Sequence, residues 1–516
     1  MLRTKLYYLS FLLLLSSLNI KAQKTFLLLD KQESIRYESI NIGNLDTFHS
    51  AILPHILPSP LYYDTLNISL KLAIRNTFGN KVFNDKLLYI NSLKTHIYPI
   101  ANLSYAQDFA NSVSPQLWSS GFAIESNWRK TWHLQAAFWG GMATFSTYQK
   151  RFIDSTSVLP SLGRYNAKFT NTYSFTNFRG SVLYTASPYI YFQLGRDKNF
   201  WGDGYRSLLL SDNAAAYPFA KVMVNVWKIQ YVILYQFLED VNEKHQWEKK
   251  YIVSHFLSWN IGKRFNINMF ESVVFRDKMP NGASRGFDIN YWNPIIFFRP
   301  VEYSIGSPDN VIMGSGFRWR WFNNMHWYGQ FVLDEFMLKE WLDNNNWWAN
   351  KVGYQLGFKM YNSFGVKNLM LRAEYNTVRP YTYSHRSSME NYGYLYQPLA
   401  HPYGANFKEF LASVLYQKNR WSFSTRLSFV KVGMDKDGLD YGQNIYRSYL
   451  EVPNIYGNVL LQGDLTHINE WEAKVRYLLN PSWHLSVEMG VQLFSFSNSQ
   501  ENIQQHQVFL GLRSLF

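Results

Sequence analysis

The chain has 516 residues and no cysteine, so neither disulfide staples nor thiol chemistry are available to it. Charged residues make up 17% against the roughly 25% usual for soluble domains, aromatic residues reach 18%, and the mean hydropathy of -0.26 excludes a bundle of apolar membrane-spanning helices. The formal net charge of +14 is spread along the chain without a basic stripe or binding motif. That excludes nucleic acid as a partner and leaves two readings, attraction to acidic polymers or solvation of loops and lumen.

Arg3 and Lys5 precede an apolar run from Leu6 to Leu18, and Asn19-Ile20-Lys21-Ala22-Gln23 follows. Basic, then apolar, then small is the layout of a secretory signal, so residues 1–22 are expected to be removed after Ala22 and the protein exported. Residues 23–95 alternate little, are broken by Pro54, Pro58 and Pro60, and are expected to form a non-barrel lead-in, a periplasmic or plug element, with one short helix over Lys81 to Ile90.

From residue 96 to 516 the period becomes two. Trp471, Ala473, Val475, Tyr477 and Leu479 oppose Glu472, Lys474 and Arg476; after the turn residues Asn480-Pro481-Ser482, Trp483, Leu485, Val487, Met489, Val491 and Leu493 oppose His484, Ser486, Glu488 and Gln492. Trp421 to Phe429, Phe317 to Trp321, Val352 to Met360 and Leu369 to Tyr375 repeat the pattern, with Asn323-Asn324 as a tight turn. The two runs on either side of Asn480-Pro481-Ser482 have the length of a tilted strand crossing a bilayer, and no helical layer is available to cover so long a sheet. The expected fold is all-β: a transmembrane antiparallel outer-membrane β-barrel of about 16–18 strands, at about 25 residues per strand and connection. Val508, Leu510, Leu512 and Phe516 end the chain on a strand with a terminal aromatic residue, similar to the last strand of bacterial outer-membrane proteins.

The densest chemistry lies in Gly195 to Ala214, GRDKNFWGDGYRSLLLSDNA, after a strand expected at Tyr189 to Leu194. Gly202 and Gly204 lack the third glycine of a dinucleotide loop, and no helical pattern follows. Asp435-Lys436-Asp437-Gly438 fails as a calcium loop because Tyr446 stands where the closing carboxylate belongs. No His, Asp or Glu spacing carries a metal-site pattern, so no metal or other cofactor is expected. Ser207 or Ser211 with His385 or His401 supply the residue types of a nucleophile and base, but GxSxG is absent and no enzyme activity is expected.

The stretch from Gly195 to Ala214, followed by Tyr217-Pro218, resembles the matching segment of the Wzi capsule-assembly proteins, with Asp203 in place of an expected proline. Asn293-Pro294, Phe297 to Glu302 and Gly306 to Asn310 resemble the gliding-motility branch called RemB, as do Glu374-Tyr375, Arg379 to His385 and Leu399 to Phe407. The resemblance implies an outer-membrane barrel of a Gram-negative bacterium that binds or anchors surface or capsular polysaccharide and supports gliding, with lipid, polysaccharide and other motility or envelope proteins as partners. It also implies that the three segments converge in the barrel or at its mouth. On that implication the polysaccharide-binding residues are Arg196, Asp197, Trp201, Asp203, Arg206, Asn213, Arg299, Glu302, Asp309, Asn310, Glu374, Arg379, Tyr383, His385, His401 and Asn406. Trp201 offers a flat face to a pyranose, and the charged and amide groups suit hydroxyls and uronates. The competing reading for each charged residue is lumen pairing that stiffens the barrel. The competing reading for the whole protein is a porin-like channel for small solutes, against which the lumen-facing bulk of Tyr328, His326 and Arg320 argues.

Overall fold

A computed structural model describes residues 25–26, 30–41, 48–57, 79–80, 83–84, 88–90, 94–129, 131–242, 246–278, 282–294 and 309–514, and every structural statement below concerns these. The expected leader and Phe516 lie outside them.

Side chains of alternating character give each strand one apolar and one polar face, and eighteen such strands close into one antiparallel barrel. The first half comprises β1 (Thr95–Asp108), β2 (Gln116–Trp128), β3 (Trp132–Thr144), β4 (Thr172–Thr185), β5 (Ile190–Asp197), β6 (Tyr217–Val226), β7 (Ile229–Val241), β8 (Trp247–Ile261) and β9 (Phe265–Arg276). The second comprises β10 (Asn310–Phe322), β11 (Met325–Leu333), β12 (Val352–Met360), β13 (Leu369–Val378), β14 (Phe407–Lys418), β15 (Trp421–Met434), β16 (Asp464–Asn480), β17 (Leu485–Ser497) and β18 (Asn502–Ser514). Closure runs from Gln507 opposite Asp108 to Arg513 opposite Asn102, so the last strand seals against the first.

The apolar face points outward: Phe138, Leu194, Leu356, Met489 and Leu510 are exposed on mid-strand. Trp128, Trp132, Trp227, Trp259, Trp319, Trp321 and Trp421 ring the end where Trp227-Lys228, Asn323-Asn324 and Asn419-Arg420 make tight turns. An aromatic girdle beside short turns marks the periplasmic rim, and the long connections 145–171, 198–216, 277–309, 334–351, 379–406 and 435–463 leave from the opposite, extracellular end. Of the two tryptophans that head the alternating runs, Trp471 lies within β16 and Trp483 in the turn before β17.

The polar face lines a lumen into which other segments of the chain fold. Lys31–Asn41 forms a helix, α1, inside the periplasmic half. Asp30 Oδ1 caps it by accepting from the backbone N–H groups of Gln32 and Glu33, both at 3.0 Å. Ile35 packs on Tyr361, Met370 and Leu415 of the wall. The lead-in thus supplies a luminal helix at 31–41. The helix expected over 81–90 is corrected in part, because Leu88–Ile90 is extended and pairs with β1, while residues 81–82 and 85–87 lie outside the described set.

Candidate functional site

Strands β5 and β6 are only eight and ten residues long and pair last at Asp197 opposite Tyr217. The chain therefore leaves the wall early, and the connection 198–216 folds inward to meet the lead-in arriving from the other side. Phe200–Trp201 pairs with Ile52–Leu53 as a two-stranded ribbon, and the Gly202 N–H donates to the Ala51 carbonyl at 2.8 Å. Gly204 needs its missing side chain: a β-carbon there would stand 2.5 Å from Glu374 Oε2 and 2.6 Å from the Arg206 carbonyl.

The wall reads this loop through its backbone. Glu374 on β13 accepts from the N–H groups of Tyr205 and Arg206 at 2.7 and 3.1 Å, from the Tyr328 hydroxyl at 2.9 Å and from Asn376 at 2.8 Å. Gln330 on β11 accepts from the Leu208 N–H at 2.8 Å and donates to the Trp201 carbonyl at 3.1 Å. Arg206 reaches Glu409 on β14 at 3.3 Å, and Glu409 also accepts from Ser428 at 2.8 Å. His401 stacks on Phe407 with ring centroids 4.2 Å apart, and burial lowers its pKa despite the facing Glu409. It therefore stays neutral, donating from Nε2 to Glu409 at 2.7 Å while Nδ1 accepts from the Tyr403 N–H. On the α1 side, Lys359 donates to Glu38 at 2.7 Å and to the Asp203 carbonyl at 3.2 Å. Burial alone would raise the Glu38 carboxyl, but Lys359, His55 and Tyr361 pull it down to about 2. Asp203 accepts from Ser50, which in turn accepts from Arg318.

The structure brings Asp203, Arg206, Glu374 and His401 into this one network, and Tyr383 joins it by donating its hydroxyl to the Leu208 carbonyl at 2.7 Å. Trp201 is fully buried, with Phe256 and Phe270 at ring-centroid distances of 5.3 and 6.0 Å, so it shows no face to a sugar and acts here as the apolar anchor of the loop. Arg196 and Asp197 bond to β4, through Phe178 and Arg179. Asn213 donates to the Pro398 carbonyl at 3.0 Å, and Asn310 to the Glu390 carbonyl at 2.9 Å, which tie those segments to the 379–406 loop. Asp309 takes a bidentate pair from Arg285 at 2.7 and 2.9 Å and the Tyr291 hydroxyl at 2.6 Å. Asn406, with φ of 56°, donates to the Gly433 and Gln462 carbonyls and accepts from the Leu461 N–H, pinning loop 435–463. Arg299 and Glu302 lie outside the described residues.

Neither serine forms the start of a catalytic pair with a histidine: Ser207 donates to the Trp201 carbonyl and Ser211 to the Ala400 carbonyl. Among the described residues, no group of three or more His, Cys, Asp or Glu is placed to hold a metal ion.

Above this plug, loops 334–351 and 435–463 form an aromatic mouth that the motif reading missed. Trp348 lies 4.8 Å from Tyr449 and 6.2 Å from Trp347, and Trp341 is exposed beside Phe336. The buried Lys351 sits 4.4 Å beneath the Tyr449 ring, held by Glu335 at 2.9 Å. Of the residues singled out from sequence, Arg379 and His385 underlie this patch: Arg379 donates to the Asn350 and Asn458 carbonyls, and His385 meets Tyr449 edge-on at 5.5 Å. The available signal was three tryptophans around an Asn-rich stretch, Asn344 to Asn346, with no strand alternation.

These features define an outer-membrane barrel into whose lumen α1 and loop 198–216 fold and whose extracellular end carries an aromatic, partly exposed surface. The family model for the capsule assembly protein Wzi matches residues 188–508, well over half of the sequence, and the chain belongs to that family. Among solved structures it is similar to Wzi of Escherichia coli, described as an outer membrane protein involved in group 1 capsule assembly and a carbohydrate-binding β-barrel. That match has a TM-score of 0.55 at 11% identity, over 95% of this chain and 99% of that one. OprD of Pseudomonas aeruginosa matches with a TM-score of 0.42 at 10% identity, over 81% and 94% of the two chains. OccAB2 of Acinetobacter baumannii matches at 0.44 and 8%, over 82% and 98%. No curated protein sequence matches.

Proposed function

We propose that this protein binds or anchors surface or capsular polysaccharide at its extracellular mouth and, in the manner of the RemB-like branch it resembles, couples that hold to gliding. The observation that carries the reading is the entry of α1 into the lumen from below and of loop 198–216 from above, beneath a mouth where Trp341 is exposed and Trp347, Trp348 and Tyr449 are half-buried. Flat aromatic faces with amide and charged groups at their edges suit pyranose rings. In this reading the work of the Gly195–Ala214 segment is architectural: it sets the floor on which loops 334–351, 379–406 and 435–463 rest. The leader is residues 1–22, and residues 23–95 are a lead-in, a periplasmic or plug element, of which α1 enters the lumen. Deleting the protein and staining the cell surface tests the proposal: retained polysaccharide and gliding are both expected to fall, and unchanged retention with unchanged gliding would refute it.

The alternative of a solute channel has one observation in its favour, cavities of about 490 and 350 Å³ along the wall formed by β13–β18 and β1–β4. Large, stable openings of the wild-type protein in planar bilayers would support it.

A further inference from the structure

The smaller of these cavities has a chemistry of its own. It lies in the periplasmic half of the lumen, between α1, Tyr205 of the inward loop and the wall from β13 to β18. Arg372, Arg426, Lys474, Arg476 and Arg513 face it from the wall and Lys31 from α1, so its lining carries more cations than carboxylates, the latter being Asp30, Asp212, Glu472 and Glu488. Most of these cations have partners: Arg426 is 2.7 Å from Glu470, Lys474 is 3.0 Å from Glu472, and Lys31 donates to the Tyr205 carbonyl at 2.8 Å.

Arg372 is different. It is 5% exposed, its Nε has no hydrogen-bond acceptor, and among the described residues its guanidinium makes no ion pair. The acids within electrostatic range are committed elsewhere. Glu374 is filled by two backbone N–H groups, Tyr328 and Asn376, and Glu38 is held by Lys359 and Tyr361. The register sets Arg372 between Lys359 on one neighbouring strand and Ser413 on the other, so neither cross-strand neighbour is an acid. A buried guanidinium without an acceptor is costly, and the group that relieves it best is a carboxylate or phosphate, which accepts two parallel N–H bonds.

A second observation reports the same positive field. The Tyr205 ring lies within cation–π range of Lys31 at 4.0 Å, Arg426 at 5.3 Å and Arg206 at 5.4 Å. Burial would raise its hydroxyl, yet Arg426, Lys31 and Arg206 pull it below the ordinary phenol value. The volume, about 350 Å³, falls in the range of about 300–1,000 Å³ that small-ligand pockets occupy. Through Asp30, Asp212, Glu488 and Arg513 it shares its lining with the larger cavity, which extends along β18 and β1–β4 to Leu162 of loop 145–171.

We propose that this luminal cavity is a binding site for a small ligand bearing one carboxylate or phosphate group, which pairs with Arg372 and is flanked by Arg426 and Lys474. A sugar acid and free phosphate share this chemistry. The site is separate from the polysaccharide reading of the mouth, which cell-surface retention tests independently.

Calorimetric titration of the purified full-length protein in detergent, at low ionic strength, tests it with sodium glucuronate, inorganic phosphate and glucose. Saturable binding of at least one anion and none of glucose is expected, and the preferred anion identifies the source. Arg372→Gln is expected to weaken that anion at least tenfold. Should Arg372→Gln fail to give a heat-modifiable folded barrel, Arg513→Gln, at the half-exposed rim, is expected to weaken it about threefold. Absence of anion binding to the wild-type protein, equal binding of glucose, or unchanged affinity in the folded variant would overturn the proposal.

Discussion

Lys31 of α1 donates its ammonium to the carbonyl of Tyr205, 174 positions away in the chain, at 2.8 Å, and the same ammonium lies 4.0 Å over the Tyr205 ring. One side chain thereby joins a helix in the periplasmic half of the lumen to a loop descending from the extracellular rim. The closed state of the barrel rests on such joints, and each can be broken separately.

Gly204→Ala is expected to push the loop off the wall, because the added β-carbon meets both Glu374 Oε2 and the rigid Arg206 carbonyl. The barrel itself should still close, since β1–β18 are untouched. Planar-bilayer recording checks this: the variant should show openings that the wild-type protein lacks, and a silent, folded variant would contradict the assignment of loop 198–216 as a plug.

Glu409→Ala strips the buried Arg206 of its ion-pair partner and removes an acceptor of His401 and Ser428. Breaking a buried pair from one side costs about 3–5 kcal/mol. The loss should appear as faster protease cleavage within 198–216, with the heat-modifiable barrel band retained in gel electrophoresis.

Trp201→Ala empties the space between Phe256 and Phe270, and removal of a fully buried tryptophan costs about 3–5 kcal/mol. Trp201→Phe keeps most of the packing and should lower the unfolding temperature much less. Equal effects of the two would mean that the indole matters beyond its bulk.

Asp440 in loop 435–463 gives a pH dependence. Burial raises its carboxyl to about 7, above the value near 3.8 of the free side chain. A raised folded-state value means that its stabilising contribution is full below about 4 and is lost as the pH rises through about 7. Protection factors in this loop, taken from exchange rates divided by the intrinsic rate at each pH, should therefore be highest at acidic pH and fall towards neutrality, and Asp440→Asn should flatten that profile.

The barrel was legible because lipid and a polar lumen impose period two on every strand. Trp421 to Phe429 and Glu472 to Arg476 carry the pattern openly, and the structure puts those residues on the expected faces. Helix α1 was not legible for a related reason: packed inside a polar lumen, KQESIRYESIN buries Glu38 and Ser34 along with Ile35 and Tyr37, so no apolar stripe marks it. Trp201 looked like a sugar platform because its burial depends on Ile52 and Leu53, which only the fold brings beside it. The mouth aromatics escaped notice because these loop tryptophans, Trp341 exposed and Trp347 and Trp348 half-buried, share no motif with the segments that carry the family resemblance. Asp203, Arg206, Glu374 and His401 stood among the sixteen expected polysaccharide contacts, and only the fold shows that they also bond into one internal network.

Binding of purified polysaccharide from the producing cells to the full-length protein, compared between wild type and the Trp347→Ala, Trp348→Ala double variant, tests the central claim most directly. The account predicts saturable binding that the double variant weakens at least tenfold while its unfolding temperature stays unchanged. No saturable binding to the wild-type protein, or equal binding by the folded double variant, would contradict it.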